Sequence, residues 1–253
     1  MIVFIIMLGN QQGEYSPNKE ARWDVVLNLV PKLVKIQKKI RILDVACGDA
    51  SLYKFISLSA RYDGFDMSDI EYFGVDKDRS MQLLINDSRV NFYSADVMEC
   101  PKLFGLNSFD IVVASEIIEH LVDTDSFVGM LRDQVKEEGF VYLTTPNLSS
   151  WHARLMLLFG LQPLATEVSC VRGDFGNGKL IARLYNGGDN HAIYHVRAFT
   201  LKALKEFLIY HGFKIVSVSG GGYKNIDNII FNNRFTVSLS PVIKLLLQKA
   251  RKS

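Results

Sequence analysis

Cysteine is scarce in this chain: Cys47, Cys100 and Cys170 are the only three in 253 residues. An odd number, widely spaced and with no C-x-x-C pair, argues against a disulfide framework and against a zinc centre. The expectation is a reducing compartment, the cytoplasm, and no metal site. Charge of one sign is missing as well. Twenty-nine basic side chains against 27 acidic ones leave a net +2, which gives no basic field for nucleic acid. Long apolar runs are missing too. Met1 to Leu8 is apolar but too short to span a bilayer. It lacks the basic residues and the small-residue cleavage site of a signal peptide. It reads as an extra strand, as a tail packed on the surface, or as residues added by a start codon upstream of a natural beginning at Met7. No repeat, low-complexity tract or linker divides the chain, so one α/β domain over residues 1–253 is expected.

Glycine is missing where a dinucleotide site would need it. In Arg41 to Leu52, the apolar Ile42, Leu43 and Val45 fit a strand buried in a parallel sheet. Cys47-Gly48-Asp49 interrupts them, and Ala50 to Ile56 reads as a helix start. Strand, tight turn and helix form the first half of a nucleotide-binding βαβ unit. Gly48 lets the backbone turn sharply and lie close to a ligand. The dinucleotide fingerprint needs three glycines and leaves the helix N-terminus free for pyrophosphate. Here there is one glycine, and Asp49 would repel a diphosphate. A ligand with a cationic centre and an amino group is tolerated instead.

Further strands follow in order. Glu71 to Asp76 ends in a carboxylate able to accept hydrogen bonds from both hydroxyls of a ribose. Val90 to Val97 carries Asp96 at its end. Phe109 to Leu121 runs from a strand into E-x-I-E-H-L, and Phe140 to Asn147 ends in T-P-N. Together these segments resemble the class I S-adenosylmethionine-dependent methyltransferases. The last two resemble the subgroup of small-molecule, ubiquinone-biosynthesis-like O-methyltransferases. The resemblance is close from Arg41 to Asn147 and looser from His195 to Val218.

The resemblance implies S-adenosyl-L-methionine as cofactor. It also implies a doubly wound, mostly parallel, seven-stranded Rossmann-like sheet with helices on both faces and a lid insertion after the fifth strand. Cofactor contacts are implied for Asp44, Ala46, Cys47, Gly48, Asp76, Lys77, Asp96, Val97 and Ser115. Among these, Asp44 would hold the methionine amino group through water and Asp76 the ribose. Asp96 would meet the adenine amino group, with Val97 packed on the ring. Two alanines, Ala46 and Ala50, stand where many members carry glycine. Ala46 is expected to be a mild change, because a strand end needs no positive φ; Ala50 is comfortable at a helix start, but its methyl crowds the methionine end of the cofactor. The stretch Ser57 to Asp69 lengthens the link between Gly48 and Asp76.

Around this core (residues 41–147), residues 1–40 are expected to form a helical cap. Its helix would run from Asn18 to Ile40, bringing Trp23, Val26, Leu27 and Val30 over the cofactor mouth, with Pro31 a candidate break. Residues 148–199 are long and irregular enough to form a substrate lid. That segment opens with an apolar helix at Ser150 to Phe159 and closes with the Gly- and Asn-rich loop Asn186 to His191. Residues 200–253 supply a helix capped by Thr200 and ended by Gly212, then a sixth strand at Phe213 to Val218. The seventh strand falls at Phe235 to Leu239 or at Val242 to Lys249. The alternatives for the second run are a helix or peripheral membrane contact through Leu245, Leu246 and Leu247 beside Lys244, Lys249, Arg251 and Lys252. Core packing is the favoured reading.

Methyl transfer to a hydroxyl needs a proton acceptor. The candidate catalytic groups are His120, His195 and Glu116, with His191 also in the lid. The expected acceptor is a small molecule methylated on oxygen in preference to nitrogen, of lipid, quinone or glycan type. The alternative is a non-catalytic module that binds S-adenosylmethionine. No feature of the sequence specifies an oligomeric state.

Overall fold

The computed structural model describes residues 22–163, 165–177, 192–221 and 236–250. The apolar run at residues 1–8, the start of the cap, the loop through His191, Phe235, Arg251 and Lys252 lie outside the described residues. In chain order the elements are α1 (Asp24–Gln37), β1 (Ile40–Val45), α2 (Ser51–Asp63), β2 (Ile70–Asp76), β3 (Val90–Ser94), α3 (Cys100–Phe104), β4 (Phe109–Ser115), α4 (Thr124–Gln134), β5 (Val135–Pro146), α5 (Trp151–Leu158), α6 (Leu201–Tyr210), β6 (Phe213–Gly221) and β7 (Val242–Lys249).

Seven strands form one sheet in the order β3-β2-β1-β4-β5-β7-β6. The first five are parallel, and β7 runs antiparallel to both of its neighbours. This is the doubly wound sheet that the motif order predicts. Its central strands read as unbroken apolar runs because helices cover both faces. Ile40, Ile42, Ile111 and Val113 pack toward α1 and α2. Leu43, Val45, Val112 and Ala114 pack toward α4 and α6 on the opposite face. Each fully buried Ile or Leu side chain contributes roughly 1.5–3 kcal/mol. The chain leaves β1 in one direction and returns at β4 on its other side. That reversal puts the switch point of the sheet at the carboxyl ends of β1 and β4, where ligands bind in such sheets.

Two expectations are revised, and the place of the seventh strand is decided. Pro31 does not break the first helix. It lies buried within α1, which ends at Gln37, where Lys38 turns to φ 64° and its N–H bonds the Val34 carbonyl. Burial of Val30, Leu33 and Val34 on either side holds the helix together despite the missing proline N–H. Trp23, Val26 and Val30 belong to the core, not to an open mouth, and Trp23 packs on Phe55 with ring centroids 5.4 Å apart. The seventh strand is Val242–Lys249, whereas Val237–Leu239 is a single 3-10 turn. Leu245, Leu246 and Leu247 are buried between β5 and β6, so this run offers nothing to a membrane. Lys244 is buried as well, its Nζ 3.1 Å from Asp24 of α1. Among the described residues, no helix is long and apolar enough to cross a bilayer.

Candidate active site

The loop after β1 is more strained than its sequence suggests. Ala46, Gly48 and Ala50 all take left-handed φ values, 57°, 53° and 54°. Glycine does so freely, whereas an alanine loses roughly 1–2 kcal/mol there. The expectations that Ala46 needs no positive φ and that Ala50 is comfortable at a helix start are therefore overturned. The loop is pinned from β2. Gly48 N–H donates to Asp76 Oδ2 at 2.9 Å, and Cys47 N–H donates to the Val75 carbonyl. Asp76 Oδ1 accepts from Asp78 N–H at 2.9 Å. A Cβ built on Gly48 would meet nothing within 4 Å, so the turn opens onto free space. Cys47 points inward instead. Its Sγ lies where a Cβ on Gly74 would be, 2.7 Å away, so the close approach of loop and β2 requires glycine at 74. Burial pushes the Cys47 thiol far above its usual range, which makes it inert packing. Asp49 accepts from the Ser51 amide and hydroxyl and pairs with Lys54, so its charge is spent on starting α2.

Asp44 is buried in β1 and accepts a hydrogen bond from Tyr72 of β2 at 2.5 Å. Burial pushes its carboxyl up to about 7, only partly offset by the tyrosine hydroxyl. Asp96 is exposed and caps the turn Val97–Glu99 by accepting from Met98 N–H. Val97 is buried against the core, Lys77 is exposed, and Ser115 Oγ lies 3.0 Å from Thr144 Oγ1. All of these groups sit at or just past the carboxyl ends of β1 to β4.

Beside this edge, β4 runs into a second cluster. Glu116 takes φ 54° and accepts from the Thr144 hydroxyl at 2.8 Å; burial raises its carboxyl, and the Arg22 charge opposes that rise. Glu119 is 1% exposed. Its Oε2 accepts from the Thr145 hydroxyl at 2.9 Å, while Oε1 has no hydrogen-bond partner among the described residues. Burial first, and the neighbouring Glu116 second, push Glu119 up to about 8. His120 Nε2 stands 3.9 Å from Glu119 Oε1, and its Nδ1 faces the Tyr194 carbonyl at 3.2 Å. The His195 ring lies 4.9 Å from the His120 ring, tilted by 36°. Burial lowers the His195 pKa, against the pull of Glu167.

Glu119, His120 and His195 each bring one donor atom into a set lying within 4.8 Å of one another. Two imidazoles and a carboxylate can collect a proton, and they also suit a divalent transition metal. The expectation of no metal site came from the cysteines, which indeed lie elsewhere; the Glu and His residues form the fitting set. The segment bearing His195 is tied down by Val196 and Arg197, whose N–H groups donate to the Glu119 carbonyl. Next to it, α5 buries Ala153 and Met156 but exposes Leu155, Leu157 and Leu158, and Phe159 beyond it is also exposed.

A family model described as a methyltransferase domain matches residues 18–218. The chain belongs to that methyltransferase family. The mitochondrial ubiquinone biosynthesis O-methyltransferase of Bos taurus is 29% identical over 124 residues, 49% of this chain and 33% of that protein. The ubiquinone biosynthesis O-methyltransferase of Rhodopseudomonas palustris (strain BisA53) is 29% identical over 135 residues, 52% of this chain and 49% of that protein. The match thus spans a third to a half of these curated relatives. A SAM-dependent methyltransferase from Archaeoglobus fulgidus superposes with a TM-score of 0.53 at 16% identity, covering 91% of this chain and 97% of that one. That likeness shows the Rossmann-like methyltransferase fold.

Of the groups singled out from the methyltransferase motifs, the structure gathers Asp44, Ala46, Cys47, Gly48 and Asp76 around one loop, and Glu116, His120 and His195 around another. His191 lies outside the described residues. Sequence reasoning passed over Glu119, although E-x-x-E places it one helical turn from Glu116. It also missed Thr144 and Thr145, which stand in the quoted T-T-P-N. Arg22 and Glu167 carry no local signal.

Proposed function

We propose that this methyltransferase domain uses S-adenosyl-L-methionine to methylate an oxygen of an apolar small molecule, such as a ring hydroxyl of a quinone precursor. The observation that carries this reading is Glu119: a buried carboxylate with one oxygen unpartnered, converging with two imidazoles beside the cofactor loop. Transfer to a hydroxyl needs such a proton acceptor, whereas a cofactor-binding module has no use for one. The names of the relatives, which speak of O-methylation in ubiquinone biosynthesis, support the choice of oxygen and of an apolar acceptor.

S-adenosylmethionine supplies a methyl group already activated by a sulfonium. The residues present fit it. Each Asp76 oxygen uses one lone pair on a backbone N–H and keeps another for a ribose hydroxyl. The space over Gly48 lets a ligand lie against the backbone. Asp44 supplies buried negative character for an ammonium. The domain then holds the acceptor oxygen in line with the methyl group and removes its proton through Glu119, with His120 and His195 as neighbours able to share it. Residues 148–199, with the exposed Leu155, Leu157, Leu158 and Phe159, are read as the lid that receives an apolar acceptor and excludes water. Held by Glu119, His120 and His195, a divalent cation would lower the pKa of an acceptor hydroxyl as a Lewis acid. Chelation of the purified protein separates that variant from direct base catalysis.

The test is calorimetric titration with S-adenosylmethionine for wild type and Asp76→Ala, followed by transfer of labelled methyl to 4-alkylcatechols. Tight binding lost in Asp76→Ala, with turnover lost in Glu119→Gln at unchanged cofactor affinity, is expected. Cofactor binding with no turnover on any hydroxyl acceptor would favour the non-catalytic module.

A further inference from the structure

The segment from Ile193 to Arg197 is gripped from two sides. On one side the Glu119 carbonyl accepts from Val196 N–H at 2.9 Å and from Arg197 N–H at 3.0 Å. On the other side Glu167 accepts from Ile193 N–H at 2.9 Å through Oε1 and from His195 N–H at 3.1 Å through Oε2. Between the two donors to Glu167, Tyr194 is bent to φ 67°, a left-handed conformation that a tyrosine avoids unless its surroundings impose it. That bend aims the Tyr194 carbonyl at His120 Nδ1, 3.2 Å away. Glu167 Oε2 also stands 3.3 Å from His195 Nδ1, at ion-pair distance but off the line of an ideal hydrogen bond. Both side chains are almost fully covered, Glu167 at 4% and His195 at 8% exposure.

Carbonyl oxygen and carboxylate can only accept. A nitrogen facing either one is therefore favoured as the protonated nitrogen of a neutral imidazole, which leaves the ring's other nitrogen with a free lone pair. At His120 the Tyr194 carbonyl is the nearer acceptor, 3.2 Å from Nδ1 against 3.9 Å from Nε2 to Glu119 Oε1, which is beyond hydrogen-bond reach, so Nε2 is the bare nitrogen. A buried carboxylate is tolerated when donors satisfy it; two backbone N–H groups do so for Glu167, and His195 Nδ1 stands 3.3 Å from the same Oε2. Resting on the methyl-transfer reading above, we propose that Glu167 is a positioning residue: it fixes the Nδ1–H tautomer of His195 and, through the bent Tyr194, that of His120, so that both rings offer an unprotonated Nε2 where the acceptor hydroxyl loses its proton. Glu167 lies outside every motif that carries the family resemblance, 28 residues before the histidine it orients.

The tautomers are read directly from long-range 15N–1H spectra of histidine-labelled protein, at a pH where the rings are neutral, with His195 assigned from the signal missing in His195→Gln. Wild type is expected to show Nδ1–H at both rings. In Glu167→Gln the side-chain amide keeps an acceptor for the backbone but can donate to Nδ1, so His195 is expected to move toward Nε2–H. Glu167→Ala releases Tyr194, and His120 is expected to lose its single tautomer. In both variants kcat with 4-butylcatechol should fall by about 10- to 100-fold while S-adenosylmethionine affinity stays unchanged. An Nε2–H signal for His195 in wild type overturns the proposal, as does an unchanged tautomer in Glu167→Gln. The wild-type spectrum needs no variant to fold and no turnover, so failure of the tautomer assignment is distinguishable from failure of the methyltransferase reading.

Discussion

Replacing Glu119 with glutamine should make the protein more stable while abolishing its activity, and the gain should depend on pH. The carboxyl is 1% exposed and is pushed up from 4.5 to about 8, with burial as the first cause. A carboxyl whose folded pKa is raised holds its proton more tightly in the folded state than in the unfolded one. Below about pH 4.5 both states are protonated and the group exacts no penalty. Above it the unfolded chain ionises first, and stability falls with rising pH until the folded carboxyl also ionises near 8. At about 1.4 kcal/mol per pH unit, the loss amounts to about 3 kcal/mol by pH 7. Glutamine cannot ionise, keeps an oxygen for the Thr145 hydroxyl and places an amide where Oε1 has no partner. Urea unfolding of both proteins at pH 5, 7 and 8.5 measures the difference, and comparing them cancels the similar rise at Asp44. Near-equal midpoints at pH 5 and a variant more stable by a few kcal/mol at pH 8.5 are expected. A variant equally stable or weaker at pH 8.5 would refute the claim that Glu119 is held in the fold at a loss for the sake of chemistry.

The strained loop yields a second expectation: Ala46→Gly and Ala50→Gly should each stabilise the fold by about 0.5–1 kcal/mol, because relief of left-handed strain exceeds the added chain entropy. A lower urea midpoint in both would contradict the backbone conformation. Gly48→Val should remove S-adenosylmethionine binding by filling the open space over the turn and should lower stability by roughly 2 kcal/mol, since a β-branched residue resists φ 53°. Unchanged affinity by calorimetry would show that the turn does not meet the ligand. Tyr72→Phe strips Asp44 of its hydroxyl donor and should cost about 1–3 kcal/mol at neutral pH, with the Asp44 carboxyl rising further above 7. Carboxyl NMR that finds it unmoved would exclude the hydrogen bond.

The two halves of the site differ in how far the sequence exposes them, and the reason is distance along the chain. The cofactor half follows from short segments. A buried strand, one glycine and an acidic strand end specify where Gly48 and Asp76 stand, and β-sheet register then brings them within hydrogen-bond reach. The seven-stranded, doubly wound order is what the resemblance carried by these motifs implies, and the sheet has it. What short segments conceal is backbone conformation. Nothing in the letters of Ala46 and Ala50 discloses a left-handed φ, because alanine ordinarily avoids it; the loop adopts it because β2 pulls the Cys47 and Gly48 amides toward Val75 and Asp76. Pro31 is the reverse case, a residue whose local preference to break a helix yields to the packing of its buried neighbours.

The acceptor half is assembled from parts far apart in sequence. Glu119 shares its motif with Glu116, which is half-buried, whereas Glu119 is covered almost completely. It is buried because the turn Ile118–His120 tucks it against Thr145, which belongs to β5. His195 reaches His120 because the backbone around it docks on the Glu119 carbonyl on one side and on the Glu167 carboxylate on the other. One residue therefore does two jobs: the main chain of Glu119 anchors residues 196 and 197, and its side chain joins the two imidazoles. Movement of residues 193–197 away from both Glu119 and Glu167 would withdraw His195 from the cluster and open Glu119 Oε1 to water in the same step.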